Sequence, residues 1–155
     1  MKSRTSWREK LEKPQEPKVV DIPLKMSRFG KGTMLIPTPT LVDKLIRKVP
    51  KGKLVTVGEL RRKLAAEFEV EVTCPLTTGI FVRIAAEAAE EDRADGRQRL
   101  TPYWRVVKDD GGLNPKFPGG AEQQTRLLRA EGFAFTRKGK VPIVKRFESS
   151  LHTLK

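Results

Sequence analysis

The chain holds one cysteine, Cys74, and one histidine, His152, among 155 residues. A single thiol excludes an intramolecular disulfide and gives no sign of an oxidising compartment. A single imidazole leaves almost no material for Cys/His zinc clusters or for triads built on a histidine base, so neither a metal nor a cofactor is expected. Long apolar runs are missing too. None approaches the ~20 residues that span a bilayer, and the opening MKSRTSWREKLEKPQEPK carries no apolar signal-peptide segment. These absences lead us to expect a cytoplasmic protein with no membrane partner, and they remove much of enzymology.

Positive charge is what the chain has in excess. Lysine and arginine outnumber aspartate and glutamate 32 to 19, a formal net charge of +13. The excess is concentrated at the ends: residues 1–32 carry nine basic and four acidic side chains, residues 136–155 six and one, and the middle 17 and 14. Such a field attracts polyanions, of which nucleic acid is the commonest in a cytoplasm; acidic membrane surfaces and plain solubility are the bland alternatives. The length suits one domain with a real core, and a monomer is the default expectation.

Residues 1–32 combine charge with Pro14, Pro17 and Pro23 and have little to bury. This predicts a basic, extended or flexible arm, with Met26 and Phe29 available to dock, ahead of a domain over residues 33–150. After Pro37 and Pro39, the residues Leu41, Val42, Leu45, Ile46 and Val49 form a helical stripe stopped by Pro50. A tight basic turn at 51–53 follows. Thr56 with Glu59 fits a capping box, so a second helix begins near Val57 and repeats Leu60, Leu64 and Phe68. A third is capped by Thr73 or Cys74, has Pro75 in its first turn, and is expected to bury Ile80, Phe81, Ile84, Ala85 and Ala88. Helix, short connection and helix outline a helix-turn-helix. TPYWRVV, Thr101–Val107, reads as a short extended piece and 108–120 as a loop. A fourth helix places Leu127 and Leu128 inward and ends at Gly132. Two apolar runs around Arg137–Lys140 then read as a β-hairpin, expected as a wing.

From Leu54 to about Phe133, roughly half the chain, ordered pieces resemble one family. TPYWRVV resembles the Pro-Cys-His-Arg-Val-Val active-site motif of the O6-alkylguanine-DNA alkyltransferases. FPGG, Phe117–Gly120, resembles their Tyr-Ser-Gly-Gly loop, and LLRAEG, Leu127–Gly132, their Leu-Leu-x-x-Glu-Gly helix end. The spacing from Arg105 to Glu131 fits the same pattern. The resemblance implies a mainly α fold with a small β-hairpin, the winged helix-turn-helix of the alkyltransferase C-terminal domain.

In that family a cysteine thiolate, activated through histidine, water and glutamate, takes the alkyl group from a flipped guanine. Here Tyr103 stands at the cysteine position and Trp104 at the histidine position, and a phenol of ordinary pKa ~10 is a poor acceptor at neutral pH. Glu131 is retained, with hydrogen-bond acceptance near a helix end as its simple role. Cys74 as a displaced nucleophile lies about thirty residues upstream with no histidine nearby. Val57, Leu76, Ala85 and Pro118 depart from the family's phosphate-pressing tyrosine, arginine finger, hinge asparagine and loop serine; Arg83 matches a later arginine. The resemblance is greater to the alkyltransferase-like proteins, which lack the cysteine and bind alkylated DNA without repairing it, although those keep the histidine that this chain has lost.

The implied base pocket comprises Pro102, Tyr103, Trp104, Arg105, Pro118, Gly119, Gly120 and Glu131. As neighbours on an extended segment, Tyr103 and Trp104 would face opposite ways, so at most one lines a slot while the other packs; if they point inward, they close the pocket and simply pack. For Arg105 a salt bridge is the simpler role. Candidate DNA contacts are Lys51, Lys53, Thr56, Arg61, Arg62, Thr77, Thr78, Arg83, Lys138 and Lys140; each is alternatively a cap or a solvated charge. Three functions follow. One is non-enzymatic binding of double-stranded DNA, sensing damaged or flipped bases and signalling to a repair-protein partner. Another is a protein or RNA interaction module that kept the fold. The last is an alkyltransferase with an unusual acceptor.

Overall fold

The computed structural model describes residues 6–154. Five helices and seven short strands are arranged in chain order as α1 (Trp7–Glu12), β1 (Lys18–Asp21), β2 (Thr33–Ile36), α2 (Pro39–Arg47), β3 (Val55–Thr56), α3 (Val57–Glu67), β4 (Val72–Thr73), α4 (Pro75–Ala94), β5 (Val106–Val107), α5 (Gly120–Arg129), β6 (Phe135–Lys138) and β7 (Val141–Val144). Short 3-10 turns lie at Leu24–Phe29, Tyr103–Arg105 and Phe147–Ser150.

Local signals account for the helix starts. The Thr38 hydroxyl accepts from the Leu41 amide and Pro39 occupies the first turn of α2, while the Thr56 hydroxyl accepts from the Glu59 amide at the start of α3. Gly132, with φ of 94°, reverses the chain after α5, and the Phe133 amide reaches back to the Leu128 carbonyl. β6 and β7 pair antiparallel, with Lys138 opposite Val141 and Gly139 in the left-handed region at the tip.

The main core lies between α2, α3 and α4 and includes Val42, Ile46, Leu60, Leu64, Val82 and Tyr103. Its α4 stripe differs from the expected one. Val82, Ala85, Ala86, Ala88 and Ala89 are buried, whereas Ile80 is 57% exposed and Phe81 and Ile84 are only partly covered. The crowded alanine face lets α2 approach closely, and this rotates the larger β-branched residue at 80 outward. A second cluster, Leu54, Val107, Leu113, Leu128 and Val144, joins α5 to the hairpin. The helix pair α3 and α4 is joined by residues 68–74, longer than a three- or four-residue turn, because the connection contributes β4 in parallel pairing with β2.

The N-terminal segment is not an extended arm between residues 7 and 29. α1 packs on α4 with Leu11 buried, β1 pairs antiparallel with β2, and Met26 sits in a third cluster with Met34, Val72 and Cys74 against which Phe29 packs. The free amides of Trp7 and Arg8 at the start of α1 each donate to the Glu91 carboxylate at 3.0 Å, and Arg8 pairs with Asp92. These partners lie more than 80 residues away in sequence, so composition alone could not disclose them.

The aromatic site and the candidate nucleic-acid interface

The segment 101–107 is wound rather than extended. Pro102, at φ −78° and ψ 62°, centres an inverse γ-turn in which the Tyr103 amide donates to the Thr101 carbonyl at 2.8 Å. The Thr101 hydroxyl is tied to Asp43 of α2 at 2.6 Å. A 3-10 turn follows, and β5 then pairs in parallel with β3, Val55 opposite Val106, which fixes the turn against the start of α3. Because the segment turns, Tyr103 and Trp104 do not face opposite ways. Their rings meet edge to face at 5.3 Å, and Phe117 meets Tyr103 similarly at 5.4 Å.

Tyr103 has no exposed surface and fills the spot that the resemblance gave to the acceptor. Its hydroxyl donates to Glu90 of α4 at 2.5 Å, and Glu90 is in turn held by Arg93 at 2.9 Å. Burial, followed by the adjacent Glu90 carboxylate, pushes the phenol well above its ordinary range. A buried, firmly protonated phenol has no nucleophilic form to offer. Its ring packs inward and offers no open face to solvent.

Glu131 organises the other half of the site. Although burial opposes its ionisation, hydrogen bonds from Arg105, the Gly52 amide and Trp104 hold its carboxyl below the usual range. Arg105 donates through Nε at 3.0 Å and Nη2 at 2.9 Å, Trp104 Nε1 at 2.7 Å, and the Gly52 amide at 2.9 Å. Arg105 Nη1 also reaches the Val49 carbonyl at 2.8 Å. Arg105 and Glu131 therefore form a mostly buried bidentate pair. It ties the end of α5 to the turn that carries Lys51 and Lys53, both exposed. Buried Gln124 donates to the carbonyls of Trp104 and Val106 at 3.1 and 2.9 Å, setting α5 over the aromatic turn. Of the expected pocket residues, Pro102, Tyr103, Trp104, Arg105 and Glu131 are brought into one contiguous cluster. Pro118 and Gly119 lead into α5, and Gly120 is its first residue.

The expected DNA contacts divide. Thr56 is a buried helix cap, and Thr78 is fully buried with its hydroxyl on the Cys74 carbonyl at 2.7 Å, so neither offers a group to a ligand. Arg61 is half-buried and partly engaged, its Nε donating to the Thr73 carbonyl at 3.2 Å and its guanidinium lying over the Phe29 ring. Thr77 is half-buried and its hydroxyl turns toward the Cys74 carbonyl at 3.4 Å. Arg62, Arg83, Lys138 and Lys140 are exposed. Cys74 is buried among Met26, Met34 and Val72.

Sequence reasoning did not name Lys108 and Lys116 and placed Ile80 inside. Leu76 and Ile80, one turn apart and 70% and 57% exposed, line a groove of about 490 Å³ together with Arg83 and with Lys108 and Lys116 of the loop 108–116. The loop is brought there by tertiary contacts: Asp109 Oδ1 accepts from the Gly58 amide at 2.8 Å, and the Asn114 amide donates to Gln124 at 2.9 Å. An apolar pair exposed amid three cations is the one available signal, and it becomes visible only when the helix phase is known. Among the described residues, no helix is long and apolar enough to cross a membrane, and no group of three or more His, Cys, Asp or Glu could hold a metal ion.

With helices, short sheets, terminal hairpin and aromatic turn in place, the class is defined: the chain has the fold of the alkyltransferase-like proteins, that of the alkyltransferase C-terminal domain. It is similar to S. pombe Atl1 crystallised with damaged DNA containing O6-carboxymethylguanine, at 17% identity and a TM-score of 0.51. It is also similar to S. pombe ATL crystallised with DNA, at 18% and 0.54. Each likeness covers 74% of this chain and 93% of the other. No family model matches the chain, and no curated protein matches it.

Proposed function

We propose that this chain is a non-enzymatic DNA-binding protein that grips the phosphates of a duplex and transfers no alkyl group. The observation that carries the reading is the exposed α4 face, where Leu76 and Ile80 sit among Arg83, Lys108 and Lys116. The same fold is crystallised on DNA in both structural neighbours. A net charge of +13 supplies the long-range attraction. Lys51 and Lys53 on their anchored turn add phosphate contacts, and the hairpin acts as a wing through Lys138. Chemistry is opposed by the burial of Tyr103 and of Cys74.

Sensing of an alkylated or flipped base, with a repair protein as the downstream partner, is the second reading. It is favoured by the neighbour that holds O6-carboxymethylguanine DNA. For this chain it requires Tyr103 to leave its bond with Glu90 and make room for the base, at the cost of a buried hydrogen bond.

Salt-titrated competition binding with undamaged and O6-methylguanine duplexes tests both readings. Steep loss of affinity with salt is expected on each probe. Equal affinity for the two removes the sensing reading, while no salt-sensitive binding leaves only a protein or RNA interaction module. The intact mass after incubation with alkylated DNA is expected to stay unchanged; an added alkyl group on Cys74 or Tyr103 would establish the alkyltransferase instead.

A further inference from the structure

α5 and the hairpin enclose a groove of about 600 Å³ lined by Arg126, Arg129, Arg137 and Lys140, with Glu122 as the carboxylate beside them. Arg126 and Arg129 are three residues apart on the outer face of α5, while Arg137 projects from β6 and Lys140 from the hairpin tip. All four are exposed. Six cations outside the groove, Arg8, Arg47, Lys63, Arg93, Arg97 and Arg105, each have an acidic partner. Among the described residues, none of the four groove cations is in an ion pair or a side-chain hydrogen bond. Four converging, unneutralised charges raise the local potential and cost stability through self-repulsion unless an anion is held there.

We infer that this groove is a second duplex-backbone site, binding DNA phosphates in addition to the α4 face. The choice of duplex over single strand follows from the lining. A single-strand groove pairs cations with open aromatic faces on which bases stack. Here no aromatic residue lines the groove, and the nearby Phe135 ring is covered by the Arg129 guanidinium at 5.6 Å. The groove therefore reads phosphates and not bases. Its wall is fixed to the loop 108–116 that also borders the α4 groove, through the Leu113 amide on the Pro142 carbonyl at 3.1 Å and the pairing of Gly112 with Ile143. One loop thus links the two cationic surfaces, and the groove lengthens the footprint without adding sequence or lesion preference.

This inference rests on the duplex-binding reading, and the test separates the two. The salt dependence of binding to an undamaged duplex is measured for the wild type, for the R126Q/R129Q/R137Q/K140Q variant, and for a control with the same charge loss, K13Q/K18Q/K25Q/R99Q, at exposed positions outside the groove. At ~0.9 in log–log slope per phosphate contact, the groove variant is expected to lose roughly 3 to 4 in slope and the control much less. The variant should lose affinity equally on undamaged and O6-methylguanine duplexes. An unchanged slope in the groove variant beside a salt-sensitive wild type overturns the second site alone. Equal losses in variant and control also overturn it, because charge and not place would then matter. A wild type that ignores salt overturns the duplex reading and this inference together.

Discussion

Replacing Glu131 by alanine should unfold more of this protein than its position after a helix end suggests. Its carboxylate accepts from Arg105, from the Trp104 indole and from the Gly52 amide at 2.7–3.0 Å, and the Arg105 and Glu131 side chains are 13% and 7% exposed. Removing one partner of such a pair leaves Nε and Nη2 of Arg105, an indole N–H and an amide without their acceptor, while Arg105 Nη1 keeps the Val49 carbonyl. Broken buried pairs cost ~3–5 kcal/mol, and the partial exposure of Arg105 favours the lower end. About 3 kcal/mol corresponds to a fall in Tm of roughly 6–12 °C, at ~2–4 °C per kcal/mol for a chain of this size. The pH dependence carries a sign. Because the folded carboxyl titrates below its unfolded range, its contribution is present above the unfolded pKa of ~4.3 and is lost as pH falls through the folded value. Circular-dichroism melts of wild type and E131A from neutral pH down to strong acid would measure both effects. The wild type should lose its advantage on the acid side, and E131A should lack that limb. A Tm within about 2 °C of wild type at neutral pH would refute the reasoning, since it would mean that Arg105 finds water or another acceptor at no cost.

Tyr103→Phe removes the hydroxyl that Glu90 accepts, and chemical denaturation should show a loss of about 1–2 kcal/mol. Because burial and Glu90 raise the phenol's pKa in the folded state, its contribution is full below the unfolded value of ~10 and declines as pH rises above it; Y103F should flatten that alkaline limb. A Cβ at Gly58 would lie 2.7 Å from Asp109 Oδ1, so G58A should destabilise despite the ~1 kcal/mol that alanine gains in helix propensity, and D109A should relieve the penalty in the double variant. Leu76→Asp should change stability by less than about 0.5 kcal/mol, given its exposure, yet weaken duplex binding in a competition assay; unaltered affinity would remove the α4 face from the interface.

Wherever a local chemical signal existed, the elements were legible before the structure was known. Pro39, Thr56 and Pro75 mark helix starts, Gly132 marks the end of α5, and the apolar runs around Arg137–Lys140 close as a hairpin, because caps, prolines and left-handed glycines act within a few residues. On α4 the expected burial holds for Ala85 and Ala88 and fails for Ile80, for a physical reason. Ile80 and Phe81 outrank alanine in hydrophobicity, but the face that meets α2 needs small side chains, and so Ala85, Ala86 and Ala89 are inside. The N-terminal arm was misjudged because its stabilising partners, β2, Glu91 and Asp92, are remote in sequence and leave no mark on its composition.

The sequence by itself determined that no thiolate–histidine chemistry is available at the aromatic motif, since residue identity there is Tyr103 and Trp104 whatever the fold. It determined the charge excess for the same reason. Only the tertiary structure decided that Tyr103 is buried with its hydroxyl on Glu90, that Thr78 and Arg61 are engaged internally, and that Lys108 and Lys116 meet Leu76 and Ile80 across one groove. Composition is local and additive. Which atoms are deprived of water and which cations are left without a carboxylate depends on contacts between segments far apart in the chain, and those exist only once it has folded.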